Sequence, residues 1–371
     1  MSPQNEGISG SGLSGSHSLP GTNLTSPDPI FLADYDYPLP PERIAQEPVS
    51  PRESSRLFVL ERDGGRGEHR SFRDLPDLLD SKDLLVLNDT KVFRARIFGR
   101  KTSGGRLEFL FVRRLGGGAW EALCNGMREI REGMSIQFPG ETARIVQRRE
   151  ETVVLEFSPT SDVPGLLDRE GEVPLPPYIH RGERGSRKEE DSSSYQTVFA
   201  PRRGAGAGAT AGLHFTPELL QRLKERGVGS TFVTLHVGPG TFMPVRAPNA
   251  REHRIHSESF LFSEEAARAV ALTRARGGRV VAVGTTVARV LEHVALQADL
   301  KESEGECDLY VLPGHKFRCV DALITNFHLP RSTLLLFVAA FIGRESILAA
   351  YREAIDRQYR FYSYGDAMFL H

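Results

Sequence analysis

The sequence predicts an α/β fold, in which a large mixed α/β domain with a mostly parallel sheet carries an inserted, smaller β-barrel domain. Two observations indicate this. Strand-like and helix-like runs alternate over residues 210–371, which is typical of a parallel sheet covered on both faces. Residues 91–157 instead hold short strand-like runs about ten residues apart without a clear helix, which is typical of a small barrel or sandwich.

The chain has 371 residues, of which 39% are hydrophobic and 26% charged, enough for two ordinary domains. Residues 1–29 are rich in Gly, Ser and Pro and have little to bury, so we expect a disordered tail. We predict a discontinuous α/β domain over residues 30–90 and 170–371, with the barrel domain inserted at residues 91–169.

Composition excludes several classes of protein. The net charge of −1 argues against a polybasic protein, and three separated cysteines argue against a disulfide framework or a cysteine-built zinc site. The longest apolar run, residues 334–342, is shorter than the roughly 20 residues of a membrane span. We therefore expect a cytoplasmic protein with no membrane partner.

The sequence predicts the following strands and helices of the α/β domain, given in chain order. Arg56–Leu60 and residues 84–87 predict strands before the barrel. Residues 181–194, charged and rich in Ser, predict a mobile loop. Thr216 and Pro217 then predict a helix start, since Thr can cap free amides and Pro fits the first turn. Later strands are predicted at 231–237, 279–283, 308–312 and 322–325, and helices at 263–274, 287–294 and from Ser332.

Unusual residues follow these strands, where open α/β sheets bind ligands. His236 ends one strand and is either a general base or a structural histidine near a turn. The segment after another strand, Gly284-Thr285-Thr286, opens a helix and either binds a carboxylate or phosphate or only caps the helix. Asn326 and His328 end a third strand.

His214, just before the capped helix, is a third histidine that could reach this edge. None of these histidines stands in an H-x-x-x-H or carboxylate-histidine spacing that is typical of metal ligands, and we therefore predict no metal site. Residues 359–366 combine aromatics with Arg and Asp, and either stack on a base or form a final buried strand.

The start of the barrel region is basic. Residues 91–131 contain ten basic and three acidic residues, which is either a phosphate-binding surface or a solvated barrel face. The side chains that we predict to bind the phosphate backbone are Lys91, Arg94, Arg96, Arg100 and Lys101.

Taken together, these segments resemble one family, the S-adenosylmethionine:tRNA ribosyltransferase-isomerases of queuosine biosynthesis. The matching motifs run in order through the chain beyond the tail. They are 34–40 with 44–46, 87–92, Tyr195-Gln196-Thr197-Val198, 210–216, 234–242, 256–258, 283–286, 325–330 and 359–368.

The resemblance implies an α/β domain with a smaller barrel, and S-adenosylmethionine as a co-substrate that donates its ribosyl group. The acceptor would be the 7-aminomethyl-7-deazaguanine at the wobble position of tRNAs with a GUN anticodon. Isomerisation of the sugar would give epoxyqueuosine, with release of adenine and methionine. No metal is implied, and we expect a monomer.

On this resemblance we assign site roles as hypotheses. His214 and His236 would do acid/base work, with Asp89 and Asp366 as carboxylate candidates. The substrate-binding candidates are Asn88, Gly284, Thr285, Thr286, Asn326, His328 and Tyr364.

The chain departs from the family pattern at several positions, among them Ala209, Pro239 and Met243. The alternative function is therefore a tRNA-binding relative that has lost turnover. A small-molecule α/β hydrolase is a third possibility, but it would leave the basic barrel unexplained, and the Gly-x-Ser-x-Gly elbow is absent.

Overall fold

The fold is described from a computed structural model. It describes residues 28–62, 67–181, 187–238, 245, 247–297 and 300–371. The predicted tail at residues 1–29 lies almost wholly outside the described residues, and the boundaries of the two predicted domains stay a prediction.

The described residues form strands and helices in the following order. The strands are β1 (Arg56–Leu60), β2 (Glu68–Ser71), β3 (Leu84–Asn88), β4 (Thr90–Val92), β5 (Arg96–Lys101), β6 (Arg106–Gly116), β7 (Ala119–Cys124), β8 (Ser135–Phe138), β9 (Glu141–Arg148), β10 (Thr152–Phe157), β11 (Arg202–Ala205), β12 (Gly229–Leu235), β13 (Glu258–Phe262), β14 (Val280–Val283), β15 (Ser303–Cys307), β16 (Ala322–Asn326) and β17 (Ala367–Leu370). The helices are α1 (Leu75–Leu78), α2 (Val163–Glu170), α3 (Lys188–Ser194), α4 (Pro217–Glu225), α5 (Glu264–Ala275), α6 (Thr285–Ala295), α7 (Thr333–Ile342) and α8 (Arg344–Asp356).

A large mixed sheet confirms the predicted fold class. Its strand order is β15-β13-β12-β3-β14-β16-β17-β1-β2. The four central strands, β12, β3, β14 and β16, are mutually parallel, whereas β13 and β17 run antiparallel to them on either side. The carboxyl ends of the central strands therefore meet the amino end of β17 at one edge of the sheet, which we call the carboxyl edge.

Alternate residues along the strands bury opposite faces of this sheet, as the two-residue period of a strand requires. In β3, Leu84 and Val86 belong to one hydrophobic core, and Leu85 and Leu87 belong to the other. Helices α5, α6, α7 and α8 cover the first face, and α1 and α4 cover the second. The predicted start of α4 is confirmed, because the Thr216 hydroxyl accepts a hydrogen bond from the Leu219 amide at 3.1 Å.

The second unit is a closed barrel of six antiparallel strands in the order β10-β7-β6-β5-β8-β9. Its interior is rich in phenylalanine, including Phe109, Phe111, Phe138 and Phe157, and α2 packs on the same core. Next to the barrel, β4 pairs in parallel with β11 to form a short two-stranded sheet.

Two local predictions are wrong. Residues 308–312 form no strand, and the polar segment Ser303–Cys307 forms one instead, because an edge strand that pairs only with β13 does not need two apolar faces. Within the predicted loop at residues 181–194, Lys188–Ser194 forms α3, held by an ion pair between Asp191 and Arg181 at 2.6 Å. Residues 182–186 of that loop lie outside the described residues.

None of the described helices is by itself long and apolar enough to cross a membrane. Helices α7 and α8 reach the required length and composition only as a pair, and the two are bent by 113° at the break between them.

Candidate active site

A large cavity of about 730 Å³ lies where the barrel meets the carboxyl edge of the sheet. The barrel contributes Arg114 and Trp120 to its wall, and the sheet side contributes His236, Gly238 and Glu258. This volume lies in the range of small-molecule sites, and its two walls come from different structural units, a frequent setting for such sites.

His236 is the predicted site histidine that faces the large cavity. It is half-buried, and its Nδ1 lies 2.8 Å from the Thr90 hydroxyl. Burial lowers its pKa below 6.5; the Asp89 carboxylate acts in the opposite direction, and Arg202 lowers the pKa further. The lowered pKa favours the neutral imidazole at pH 7, and Nε2 can accept a proton in the tautomer in which Nδ1 donates to the Thr90 hydroxyl.

The last residue of β3 and the residue after it support β12, the strand that leads to His236. Asn88 donates to the Leu235 carbonyl at 3.0 Å and accepts from the Leu235 amide at 3.1 Å. The Asp89 carboxylate accepts a hydrogen bond from the Thr234 hydroxyl at 2.6 Å. Neither Asn88 nor Asp89 lines the large cavity; both hold the strand that leads to His236, and the Asp89 charge also acts on the pKa of that ring.

Gly204 in β11 allows a close approach to the His236 ring. A Cβ at this position would lie 2.4 Å from His236 Cε1 and 2.5 Å from its Nδ1. Only glycine leaves room for the ring here, a constraint that the sequence did not reveal.

A small cavity of about 70 Å³ lies beside the large one, and Val237 lines both. Five of the predicted substrate-binding residues line it, as does the departure at Ala209. Its wall includes Ala209, Gly284, Thr285, Thr286, Asn326, His328, Ser332 and Tyr362.

The first turn of α6 forms one side of the small cavity. Gly284 has φ +97°, a left-handed conformation that favours glycine, and its amide bonds the Ile324 carbonyl of the neighbouring strand at 2.8 Å. Thr285 and Thr286 follow as the first helical residues. The free amides of this turn and the helix dipole favour an anionic group.

Asn326 and His214 form a buried hydrogen-bonded pair behind the small cavity. The Asn326 amide nitrogen donates to His214 Nε2 at 3.1 Å and to the Tyr362 carbonyl at 3.1 Å. His214 Nδ1 lies 2.8 Å from the Ser55 hydroxyl, and its ring stacks on Phe72. Because Nε2 accepts, Nδ1 must carry the proton of the neutral ring.

Burial lowers the pKa of His214 to about 3, and the charges of Arg360 and Arg52 act in the same direction. His214 is therefore neutral throughout the physiological range. With both ring nitrogens engaged and the ring outside both cavity walls, its geometry suits an orienting role better than the predicted acid/base role, which stays untested.

His328 does line the small cavity. Its Nε2 lies 2.8 Å from the Thr325 hydroxyl, and its backbone amide donates to the Tyr351 hydroxyl at 2.9 Å. Burial lowers its pKa to about 3, so this imidazole is also neutral.

Asp366 and Tyr364 lie outside the walls of both cavities. The Asp366 carboxylate accepts from the backbone amides of Arg56 and Arg360, each at 2.8 Å, and closes the loop before β17. Tyr364 is buried in a hydrophobic cluster, with its ring edge-on to Tyr195. The structure therefore does not bring these two residues to the cavities, and their predicted roles stay untested.

The sequence did not single out a buried ion pair at the carboxyl edge. Arg289 of α6 donates to the Glu258 carboxylate at 2.5 Å, and both side chains are buried. Glu258 also accepts from the Gly238 amide at 2.8 Å. No signal in the sequence showed that Arg289 is buried, because it lies outside the apolar stripe of α6, which is formed by Val287, Val290, Leu291 and Val294.

Three of the five predicted phosphate-binding residues are ion-paired. Arg94 pairs with Glu189 at 2.7 Å, Arg96 with Glu108 at 3.0 Å, and Lys101 with Glu129. Lys91 and Arg100 have no ion pair with any described residue.

Within the described ranges, no group of three His, Cys, Asp or Glu residues could hold a metal ion. Of the departures from the family pattern, Pro239 and Met243 lie outside the described residues.

An α/β sheet joined to a closed barrel, with a histidine in the wall of the cavity between them, defines a protein with an enzyme-like cleft. A family model described as "Queuosine biosynthesis protein" matches residues 32–370. The chain belongs to this family of queuosine biosynthesis proteins.

Relatives in several bacteria bear the name S-adenosylmethionine:tRNA ribosyltransferase-isomerase. The chain is 52% identical to the one from Anaeromyxobacter sp. (strain Fw109-5), over 91% of this chain and 98% of that relative. It is 46% identical to the one from Thermotoga maritima, over 91% and 99% respectively. A crystal structure of S-adenosylmethionine tRNA ribosyltransferase from Thermotoga maritima matches with a TM-score of 0.53 and 39% identity, covering 91% of this chain and 100% of that one.

Proposed function

We propose that the chain is an S-adenosylmethionine:tRNA ribosyltransferase-isomerase of queuosine biosynthesis. It moves the ribosyl group of S-adenosylmethionine onto a tRNA base and isomerises the sugar, with release of adenine and methionine. Family membership and the shared name of its relatives support this activity. The observation that carries the site assignment is the neutral His236 on the wall of the large cavity.

The chemistry needs a base beside the sugar of the donor. The sulfonium acidifies the adjacent 5′ carbon, and removal of that proton allows elimination of adenine. The tRNA amine then attacks, and closure of an epoxide releases methionine. In this proposal His236 Nδ1 donates to the Thr90 hydroxyl, so Nε2 of the neutral ring accepts the 5′ proton.

The finer features are part of the same proposal. The acceptor is 7-aminomethyl-7-deazaguanine at the wobble position of tRNAs with a GUN anticodon, and the enzyme acts as a cytoplasmic monomer without a metal. The large cavity is wide enough for a nucleoside, and its position at the barrel would let the RNA contact both units.

The test is release of adenine from S-adenosylmethionine, measured with and without tRNA that carries the aminomethyl-deazaguanine, with chelator present in a parallel reaction. We expect adenine only with that tRNA, in equal amount to ribosylated RNA, and no effect of the chelator. If this tRNA binds but no adenine is released, the chain is the inactive tRNA-binding relative.

A His236→Gln variant tests the assigned base. We expect turnover to fall by about 10²–10⁴-fold, the usual contribution of a general base, while tRNA and S-adenosylmethionine still bind.

In the wild type the rate should fall with decreasing pH through a pKa below 6.5, because protonation removes the acceptor. Unchanged turnover in the variant would rule out His236 as the base.

A further inference from the structure

Asn326 in the wall of the small cavity carries a buried acceptor that has no partner among the described residues. Asn326 is 2% exposed, and its amide oxygen has no hydrogen-bond donor within the described part of the chain. A buried acceptor left unpaired costs about 1–3 kcal/mol, so native structures usually keep one for a reason.

The orientation of the Asn326 amide is set by its neighbours. Its nitrogen faces two acceptors, His214 Nε2 and the Tyr362 carbonyl, each at 3.1 Å. A flipped amide would place its oxygen against both acceptors. The amide oxygen therefore points away from these two acceptors. Asn326 is part of the cavity wall.

His214 holds this arrangement because it stays neutral. Protonation of Nε2 would turn the acceptor into a donor and favour the flipped amide. Burial and the nearby arginines lower the pKa of His214 to about 3, which prevents this.

The part of the cavity wall next to Asn326 favours an anion. The amino end of α6, with Gly284, Thr285 and Thr286, lies at the end of β14, next to the end of β16 that carries Asn326. Free amides at a helix start bind carboxylates, whereas the lone carbonyl oxygen binds a hydrogen-bond donor. An anion and a donor side by side on one small ligand are the features of an α-amino acid head group.

We propose that the small cavity binds the methionyl head group of S-adenosylmethionine, with the α-ammonium on Asn326 Oδ1 and the α-carboxylate at the start of α6. Asn326 is then a specificity residue and His214 its positioning residue. This inference rests on the proposed function, because it takes S-adenosylmethionine as the ligand.

The cavity volumes agree with this division. The small cavity, about 70 Å³, is far below the size of a nucleoside site, whereas the large one, about 730 Å³, is within it. Val237 lines both, so the two cavities are adjacent, and the proposal places the head group in the small one and the adenosyl part in the large one.

The first test compares ligands on the wild-type protein. Dissociation constants are measured by calorimetry for S-adenosylmethionine, an analogue without the α-ammonium, and the decarboxylated analogue, which keeps the ammonium. We expect each analogue to bind about 10- to 100-fold more weakly, since each loses a hydrogen bond to a charged group. Equal affinity of S-adenosylmethionine and the analogue without the ammonium would overturn the proposal.

The second test locates the ammonium. Asn326→Ala should weaken S-adenosylmethionine about 10- to 100-fold and leave the analogue without the ammonium unchanged. Gln297→Ala, an exposed change after the far end of α6, is the matched control and should bind all three ligands as the wild type does. If Asn326→Ala instead abolishes discrimination against a 2′- or 3′-deoxy analogue, the oxygen binds ribose and the proposal fails. If the variant does not fold, the wild-type comparison decides.

His214→Gln tests the positioning role. We expect the dissociation constant and KM for S-adenosylmethionine to rise about tenfold or more, with a smaller change in kcat, since the head group is remote from the reacting carbon. A fall in kcat alone, with a changed pH profile, would assign His214 to acid/base work.

The two proposals fail in distinguishable ways. If the wild type ribosylates the tRNA but does not discriminate between the ligands, only the head-group assignment falls. If it discriminates but releases no adenine with the tRNA, the proposed function falls and the binding site remains.

Discussion

At the scale of single residues, the environment gives three similar histidines different properties. His214 and His328 are buried, and the pKa of each is lowered to about 3. His236 is half-buried, lines the large cavity and keeps one nitrogen available. The same residue type therefore serves as a fixed acceptor in one place and as a candidate base in another.

The buried histidines predict a loss of stability in acid. The pKa of His214 is about 3 in the folded chain and about 6.5 when the chain is unfolded, so only the unfolded state takes up a proton between these values. The contribution of His214 to the free energy of unfolding is fully present above pH 6.5. Between pH 6.5 and pH 3 it falls by about 1.4 kcal/mol for each unit that the pH drops.

Urea unfolding of wild type and His214→Gln, at several pH values between 6 and 4, measures this effect. The variant should show a pH slope smaller by about 1.4 kcal/mol per pH unit, whatever its stability at pH 7. Gln297→Ala, an exposed change that removes no titratable group, serves as the control and should keep the wild-type slope. An unchanged slope in His214→Gln would mean that the folded protein already protonates this ring.

At the scale of elements, strands from two parts of the sequence shape the site. β3 and β12 lie side by side, so Asn88 can bond both backbone groups of Leu235. β11 then passes across His236, with Gly204 against its ring. The position of the candidate base thus depends on an element outside the main sheet.

Gly204→Ala should therefore reduce turnover more than it reduces stability. The new methyl group would lie 2.4 Å from His236 Cε1, so the ring or the strand must move. We expect kcat to fall by at least tenfold in the adenine-release assay, because small displacements of catalytic groups are costly.

Gly305→Ala is the matched control for this change. Gly305 is also a strand glycine with a similar φ, +151° against +157°, and the nearest atom to its added Cβ is 4.0 Å away. It should retain wild-type turnover. Equal activity of both alanine variants would show that the contact at Gly204 does not position His236.

At the scale of the whole molecule, the barrel and the sheet together form the large cavity. Neither unit supplies its walls alone, and the basic barrel segment begins directly after the strand that supports His236. A tRNA bound at this junction would place its base near the sheet edge and its backbone along the barrel.

Lys91 and Arg100 are the predicted phosphate contacts without an ion-pair partner in the described part of the chain. Replacing either by Ala should weaken tRNA binding and reduce the slope of log K against log salt by about 0.7–0.9. Binding across a salt series, measured by filter retention or fluorescence anisotropy, would detect this change. Lys224→Ala on α4, an exposed lysine outside the barrel, should leave the slope unchanged. Equal slopes for all variants would exclude Lys91 and Arg100 as phosphate contacts.

The sequence by itself determined the fold class, the start of α4 and the residues at the carboxyl edge. These follow from local patterns: the alternation of strands and helices, the Thr216-Pro217 cap, and polar residues at strand ends. The family resemblance carried the function, because several motifs in one order are specific.

Only the tertiary structure decided what each candidate contacts. Asp366 and Tyr364 stand in matching motifs, yet one closes a loop and the other is packed in a core. From the sequence alone, His214 and His236 have the same predicted role. In the structure His214 is buried, whereas His236 is half-buried and lines the large cavity. Contacts such as Gly204 with His236 join residues distant along the chain, and neither their distance nor the desolvation that shifts a pKa is encoded in a local pattern.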